Sequence, residues 1–432
     1  MKLKVGMRRS EEWNSEKSTL LLVVNSGAVA FSKVAIILLL LVVPLLLTAT
    51  TTEVGAEEWK NITSLIGSRD SLLVADPGGK IIIAKNERQK LVPASILKIF
   101  TSLGALHYLG SDFRYVTEFF IDQNSNLIIK GYGDPLLISE VVSVISRLLA
   151  GLIGSTTIIN DIVVDDSYFN QPLTIPGIST SIQPYDAPNG ALCVNFNTVF
   201  FKRTKSGYVS AEAQTPLLPY AEKKIKLLKP NNGRIVMSHQ ENENTIYAGK
   251  LFRYFLAHHG VHLRGTVKSG RVDQSADKLI YRYESRFTLP QIIAKLLEHS
   301  NNFTTNQLLI SCGIKMFGPP GNLEKGVRAL ANFAADSLQI KDMAIVEGSG
   351  ISRNNRVSAD QMLRVLAKFE PHRALMRHRG REYYKTGTLQ DISTRAGYIT
   401  SGHGGSYRYV VMVNTPGKST RPVMRELLNS LD

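Results

Sequence analysis

An α/β (α+β) fold is predicted, one domain built from the two ends of the chain and interrupted by a β-rich insertion. Three observations carry this. Short β-rich runs stand near both ends, at Ser71–Ala75 and Lys80–Ala84 and again at Tyr407–Val413. Apolar residues at helical spacing fill Ser95–Leu109, Leu289–Glu298 and Asn302–Met316 between them. The stretch 170–245 is rich in Pro, Asn and Gly with short β runs, which predicts small irregular β modules.

The N-terminal segment stands apart from the fold. Val34–Leu47 is a run of 14 residues without a polar side chain, broken only by Pro44. Lys33 precedes it, and Val54-Gly55-Ala56 offers small residues just beyond Thr48–Thr52. A basic flank, a short apolar run and a small-residue exit describe a secretory signal peptide. A retained N-terminal anchor is the alternative, because Ala28–Phe31 extends the run toward the ~20 residues a span needs. Either way an exported chain is expected, in the periplasm or on the outer face of the cytoplasmic membrane, touching membrane only through residues 1–56.

Each later element has its own signal. Asp76-Pro77-Gly78-Gly79 joins the first two β runs as a hairpin turn. Ser95–Leu109 has apolar residues at 96, 97, 99, 100, 103, 106 and 109, with Pro93 just upstream. Tyr115–Ile121 and Leu127–Lys130 read as strands, Gly131-Tyr132-Gly133-Asp134-Pro135 as a loop, Val141–Leu152 as an apolar helix and Ile158–Val164 as a strand. Val423–Leu431 closes the chain as an amphipathic helix. The expected organisation is therefore residues 57–112 plus 286–432 as one domain and 113–285 as inserted accessory structure.

Composition removes several functions. Among 432 residues, 44% are hydrophobic and 20% charged, an ordinary globular balance. Lys and Arg number 51 against 36 Asp and Glu, giving +15. They are scattered and form no long basic run, so no nucleic-acid partner is expected and an anionic polymer or membrane surface accounts for the charge. No G-x-x-x-x-G-K-[ST] and no strand-linked G-x-G-x-x-G is present, which leaves nucleotide chemistry without a foothold. Two cysteines, Cys193 and Cys312, make neither a disulfide framework nor a zinc site and read as buried thiols. His107, His299 and His403 read as surface or packing residues. No metal and no cofactor is expected.

Three short motifs carry the chemistry. Ser95-Ile96-Leu97-Lys98 is S-x-x-K at a helix start, where i and i+3 share a face and the Lys amine reaches the Ser hydroxyl. The helix N-terminus there also suits an anionic intermediate. Ser300-Asn301-Asn302 is S-x-N between two helical stretches, and Lys385-Thr386-Gly387-Thr388 is K-T-G-T, with a Gly that lets a ligand backbone come close to an edge strand. Alone, each reads better as a capping Ser, a loop or a turn than as a catalytic motif. In the order S-x-x-K, S-x-N, K-T-G they match acyl-serine enzymes.

The wider context resembles the class C low-molecular-mass penicillin-binding proteins, which are D-alanyl-D-alanine carboxypeptidases and in many cases endopeptidases. Pro93-Ala94-Ser95-Ile96-Leu97-Lys98 and Leu106-His107-Tyr108-Leu109-Gly110 carry the likeness. So do Gly131-Tyr132-Gly133-Asp134-Pro135, Asp186-Ala187-Pro188, Gly348-Ser349-Gly350-Ile351-Ser352-Arg353 and Lys385-Thr386-Gly387-Thr388-Leu389 running into Gly397-Tyr398-Ile399. Asn301 stands where that family commonly has Asp. The resemblance spans roughly residues 60–430 and implies a penicillin-binding protein/β-lactamase-like transpeptidase domain, a central antiparallel sheet flanked by helices.

The resemblance implies roles as well. Ser95 is the nucleophile, Lys98 its base, Ser300 a proton relay, and Asn302 a donor to substrate that also orients Lys98. Lys385, Thr386, Gly387 and Thr388 bind the substrate's carboxylate end, with the N–H groups of Ser95 and Thr388 as oxyanion hole. The implied partners are peptidoglycan with D-Ala-D-Ala stem peptides, and β-lactams as inhibitors; a homodimer is left open. The alternatives are a β-lactamase, against which stands the 205-residue separation of Ser95 and Ser300, and a non-catalytic penicillin-binding sensor or scaffold.

Overall fold

The computed structural model describes residues 59–228, 231–402 and 404–431. The signal or anchor segment 1–56 and His403 lie outside the described residues. Strands β1 (Asp70–Ala75) and β2 (Ile81–Lys85) form the expected hairpin, and helix α1 (Leu97–Leu109) follows a 3-10 turn at Ala94–Ile96. Residues 113–285 supply β3 (Val116–Ile121), β4 (Leu127–Gly131), α2 (Ser139–Ile153), β5 (Ile158–Ile159) and β6 (Ile162–Asp165). They continue with β7 (Thr198–Thr204), β8 (Gly207–Ser210), α3 (Pro219–Leu228), β9 (Asn232–Val236), α4 (Glu243–His258), β10 (His262–Leu263), β11 (Val267–Ser269) and β12 (Lys278–Glu284). The chain then returns through α5 (Leu289–His299), α6 (Asn302–Phe317), α7 (Leu323–Leu338) and α8 (Ala359–Phe369). It ends in β13 (Arg377–Arg379), β14 (Glu382–Leu389), β15 (Ile392–Thr400), β16 (Ser406–Val413) and α9 (Arg421–Ser430).

Both ends of the chain build the main sheet. Its order is β13-β14-β15-β16-β1-β2, antiparallel at every step. β1 pairs with β16 from Asp70 opposite Val413 to Ala75 opposite Arg408. Every residue of β1 is buried, because successive side chains point to opposite faces and both faces are covered. Leu73 and Ala75 join the core made with Phe100, Ile293, Leu309, Leu330 and Leu366 of the helices. Leu72 and Val74 join Val423, Met424 and Leu427 of α9 on the other face. The fold class is the one expected from sequence, a mixed α/β architecture with an antiparallel central sheet flanked by helices.

Residues 113–285 make a five-stranded sheet, β11-β6-β4-β3-β12, and a three-stranded one, β8-β7-β9. Their apolar core is separate: Phe119, Ile129 and Val164 pack against Val141 and Ile145 of α2 and Leu251 and Phe252 of α4.

Four local expectations change. Ser95 lies on the 3-10 turn, and the α-helix proper starts at Leu97. Ile158–Val164 is two short strands in different sheets, because Asn160 and Asp161 turn their polar groups to other partners. Asn160 N donates to Ser125 O, and Asp161 Oδ1 accepts from Thr266 N. The stretch 170–245 holds β7–β9 but also α3, which Pro219 opens and which buries Ala221 and Ile225 at i, i+4 spacing. Helices α7 and α8 were not anticipated, although Asn322 caps one and a Ser358/Gln361 capping box opens the other. No helix among the described residues is long and apolar enough to cross a membrane.

Candidate active site

The turn carrying Ser95 is clamped from two sides. Val92 N donates to Asn414 Oδ1 at 2.9 Å, and Thr394 Oγ1 of β15 donates to Pro93 O at 2.7 Å. From the other side Gly350 (φ +82°) presses on Ala94, so closely that a Cβ at 350 would lie 1.9 Å from Ala94 O. Ala94 itself has φ 47°, a left-handed conformation that costs on the order of 1–2 kcal/mol for a residue with a Cβ. The tight clamp holds it there and leaves Ser95 half-buried at the mouth of the site.

One turn on, Lys98 is fully buried. Its Nζ lies 3.0 Å from Ser95 Oγ, 2.7 Å from Asn302 Oδ1 and 2.6 Å from Ser349 O. Burial first, and the Lys385 charge second, hold its pKa well below the usual lysine value, with Glu347 pulling the other way. The contacts fit a neutral amine. Two of them are carbonyl oxygens, which only accept and take its two N–H groups. The third is a hydroxyl, whose proton can point at the remaining lone pair.

Between α5 and α6 the chain reverses in three residues. Ser300 is left-handed (φ 55°, ψ 40°) at the end of α5, and Asn301 caps α6 by accepting Thr304 N at 2.8 Å. This geometry brings Ser300 and Asn302 into the site. Ser300 Oγ accepts from Lys385 Nζ at 2.9 Å, and Asn302 Nδ2 donates to Tyr185 O at 3.3 Å while its Oδ1 holds Lys98.

Lys385 is only 3% exposed, and burial, with Arg377 beside it, pushes its pKa down to about 8. Along β14 burial alternates: Lys385 and Gly387 are buried, Thr386 and Thr388 exposed. Gly387 allows a close crossing, since a Cβ there would lie 2.7 Å from Ser95 N and 2.3 Å from Thr394 Oγ1. β13 pairs with β14 only from Glu382 to Tyr384, so beyond Tyr384 the outer edge of β14 has no strand partner among the described residues.

The structure thus brings Ser95, Lys98, Ser300, Asn302 and Lys385 together and continues them along Thr386, Gly387 and Thr388. Ser300 bonds to Lys385, while the bonds of Lys98 go to other groups. Sequence reasoning missed Glu347, the Ser349 and Tyr185 carbonyls, and Thr394, since backbone carbonyls and lone side chains make no motif. The Gly348-Ser349-Gly350 stretch was the one available signal for the first two. Elsewhere, His107 packs on Phe333 and Tyr108, His299 is exposed, and both cysteines are buried and free. No cluster of three or more His, Cys, Asp or Glu disposed to hold a metal occurs among the described residues.

Comparison with known proteins gives the family of the chain. The family model for the D-Ala-D-Ala carboxypeptidase 3 (S13) family matches residues 65–229 and 228–378. The chain belongs to the S13 family. That match ends before Lys385, so β14 rests on the geometry above. One relative, the D-alanyl-D-alanine carboxypeptidase of Actinomadura sp. (strain R39), is 24% identical over 355 residues, covering 71% of this chain and 65% of that enzyme's length. The D-alanyl-D-alanine carboxypeptidase DacB of Haemophilus influenzae is 22% identical over 401 residues, covering 78% of this chain and 83% of DacB. The crystal structure of penicillin binding protein 4 (dacB) from Haemophilus influenzae has the same fold, with a TM-score of 0.69 at 20% identity over 86% of this chain and 98% of that one.

Proposed function

We propose that the chain is a serine-type D-Ala-D-Ala carboxypeptidase, a hydrolase of peptidoglycan stem peptides, and that the same route serves DD-endopeptidase cleavage of cross-linked stems. The observation that carries this is the continuous set Ser95–Lys98–Asn302 and Ser300–Lys385 facing the open edge of β14. An extended peptide can add to that edge as a strand, with its carboxylate end toward Lys385.

The steps follow from the contacts. Neutral Lys98 takes the Ser95 proton, and Oγ attacks the carbonyl carbon of the penultimate D-Ala. The oxyanion accepts from the N–H groups of Ser95 and Thr388, which Gly387 lets approach each other. The C–N bond breaks, the proton held by Lys98 passes to the leaving amine, and D-Ala departs; Ser300, hydrogen-bonded to Lys385, takes the relay role that the family resemblance implies. Water then adds to the acyl carbon as Lys98 takes its proton, the C–Oγ bond breaks, and the proton on Lys98 returns to Ser95 Oγ as the shortened peptide leaves. Lys385 pairs with the terminal carboxylate, aided by the exposed Thr386 and Thr388 hydroxyls. A β-lactam would acylate Ser95 by the same attack.

The substrate implies a site of action outside the cytoplasm, which fits residues 1–56 as a signal peptide or anchor. Residues 113–285, with a sheet and apolar core of their own, fit an inserted accessory lobe. One assay tests the proposal: D-Ala release from a stem pentapeptide, with β-lactam turnover and slow acylation measured beside it. Fast β-lactam hydrolysis without D-Ala release would mean a β-lactamase, and acylation alone a sensor.

Lys385 gives a further expectation. A charge-assisted contact to a carboxylate is worth about 1.5–3 kcal/mol, so Lys385→Ala should lower kcat/KM roughly 10–150-fold. A substrate with an amidated terminus should lose far less; an equal loss for both would deny Lys385 this role. Because Lys385 must be protonated to bind the carboxylate, and its pKa is about 8, KM should rise as pH passes that value. A KM flat to pH 10 would count against it.

A further inference from the structure

We propose that Glu347 is a positioning residue for the Ser95 reaction: its carboxylate, buried beneath the Lys98 amine, fixes the carbonyl to which Lys98 donates and sets the balance of charge around that amine. The proposal rests on the acyl-serine reading above.

Glu347 is fully buried, yet its two oxygens are crowded with donors. Oε2 accepts from Ser349 N at 2.6 Å, Ser349 Oγ at 2.7 Å and Asn306 Nδ2 at 3.2 Å. Oε1 accepts from Gly350 N at 2.7 Å, Asn355 Nδ2 at 2.7 Å and Ser352 N at 3.3 Å. An ionised carboxylate takes such a set; an amide of the same shape would turn an NH₂ group toward donors.

The consequence reaches the reacting groups through one residue. Ser349 is held at both its N–H and its hydroxyl, so its carbonyl direction is set, and that carbonyl is the shortest contact of Lys98 Nζ. Its neighbour Gly348 donates to Asn306 Oδ1 of α6 at 2.8 Å and accepts from Thr101 Oγ1 of α1 at 2.7 Å. Glu347 thus binds the helix carrying Asn302 through Asn306, and its neighbour Gly348 ties the same loop to that helix and to the helix carrying Lys98. On the loop's other side Gly350 abuts Ala94, the residue before the nucleophile.

Charge gives the second half. The charged groups that bear on the Lys98 amine are Lys385 from β14, which disfavours an ammonium there, and Glu347 from the loop, which favours it. A base must first be neutral and then keep the proton it takes, so a site with Lys385 alone would leave Lys98 a weak base. Glu347 supplies the opposing charge.

The test is the pH profile of acylation by a fluorescent penicillin in the full chain, with Ser95→Ala as blank. Glu347→Gln should acylate roughly 10–100-fold more slowly at neutral pH, the scale of a misplaced reacting group. Its acid limb should move to lower pH, because losing the negative charge lowers the Lys98 pKa. Glu347→Asp keeps the charge but withdraws it by one methylene, so its limb should lie between the two. Thr101→Val loosens the Gly348 carbonyl without altering charge and should slow acylation with the limb unmoved. A uniformly slower Glu347→Gln with an unmoved limb, or one at the wild-type rate, overturns the proposal. If Glu347→Gln does not fold, as circular dichroism would show, an unmoved limb in Glu347→Asp overturns it. Labelling of Ser95→Ala at the wild-type rate would instead overturn the acyl-serine reading itself.

Discussion

Ser95→Ala should abolish covalent labelling by a fluorescent penicillin and reduce D-Ala release by on the order of 10⁴-fold or more, while the protein stays folded. The site gives the attack no substitute. Lys98 is fully buried behind Ser95, and Ser300 Oγ is engaged by Lys385. The fold should survive because Ser95 is half-buried and its turn is held by other atoms: Asn414 on Val92, Thr394 on Pro93 and Gly350 on Ala94. Removing Oγ leaves the clamp intact and takes away one contact of Lys98. Labelling, mass spectrometry of the intact protein and thermal unfolding on one sample check all three statements. A mutant labelled at the wild-type rate would place the nucleophile elsewhere, and a mutant that fails to fold would show that Ser95 also supports the turn.

Much of this site was legible because its chemistry lies on local patterns. Ser95 and Lys98 share a face at i, i+3; Gly387 between two threonines signalled the approach of a ligand backbone, whereas the space it leaves is bounded by the chain's own Ser95 N and Thr394 Oγ1. The sheet was legible at β1, β2 and β16, where the β runs are short and strongly apolar. What stayed hidden depends on contacts between distant segments. No local rule joins Ser300 to Lys385, since a left-handed residue after α5 and the register of β14 must coincide. Glu347 carries no pattern of its own; six donors give it meaning only after the loop has closed. Ala94 adopts a backbone that its side chain disfavours, and tertiary packing overrides the local preference. Helix α8 does have a local signal, the Ser358/Gln361 capping box.

Lys98→Arg should retain a positive charge and lose acylation by about 10²–10⁴-fold, the usual contribution of a general base. The two residues differ in what they can accept. A lysine amine without its proton offers a lone pair, and burial with the Lys385 charge nearby favours that form here. A guanidinium stays protonated in proteins and offers donors only. The two carbonyls on Lys98, Asn302 Oδ1 and Ser349 O, would still be satisfied by an arginine, but the Ser95 hydroxyl would face an N–H instead of a lone pair. The wild type should therefore lose activity toward acid as Lys98 takes up its proton, whereas the arginine variant should be slow at every pH, with no acid limb. Lys98→Met controls for space, since it fills the buried slot without charge or lone pair of comparable basicity. Near wild-type acylation by Lys98→Arg would remove Lys98 as the base. The proton of Ser95 would then have to leave by the Ser300–Lys385 pair, and the acid limb would follow Lys385, whose pKa is about 8.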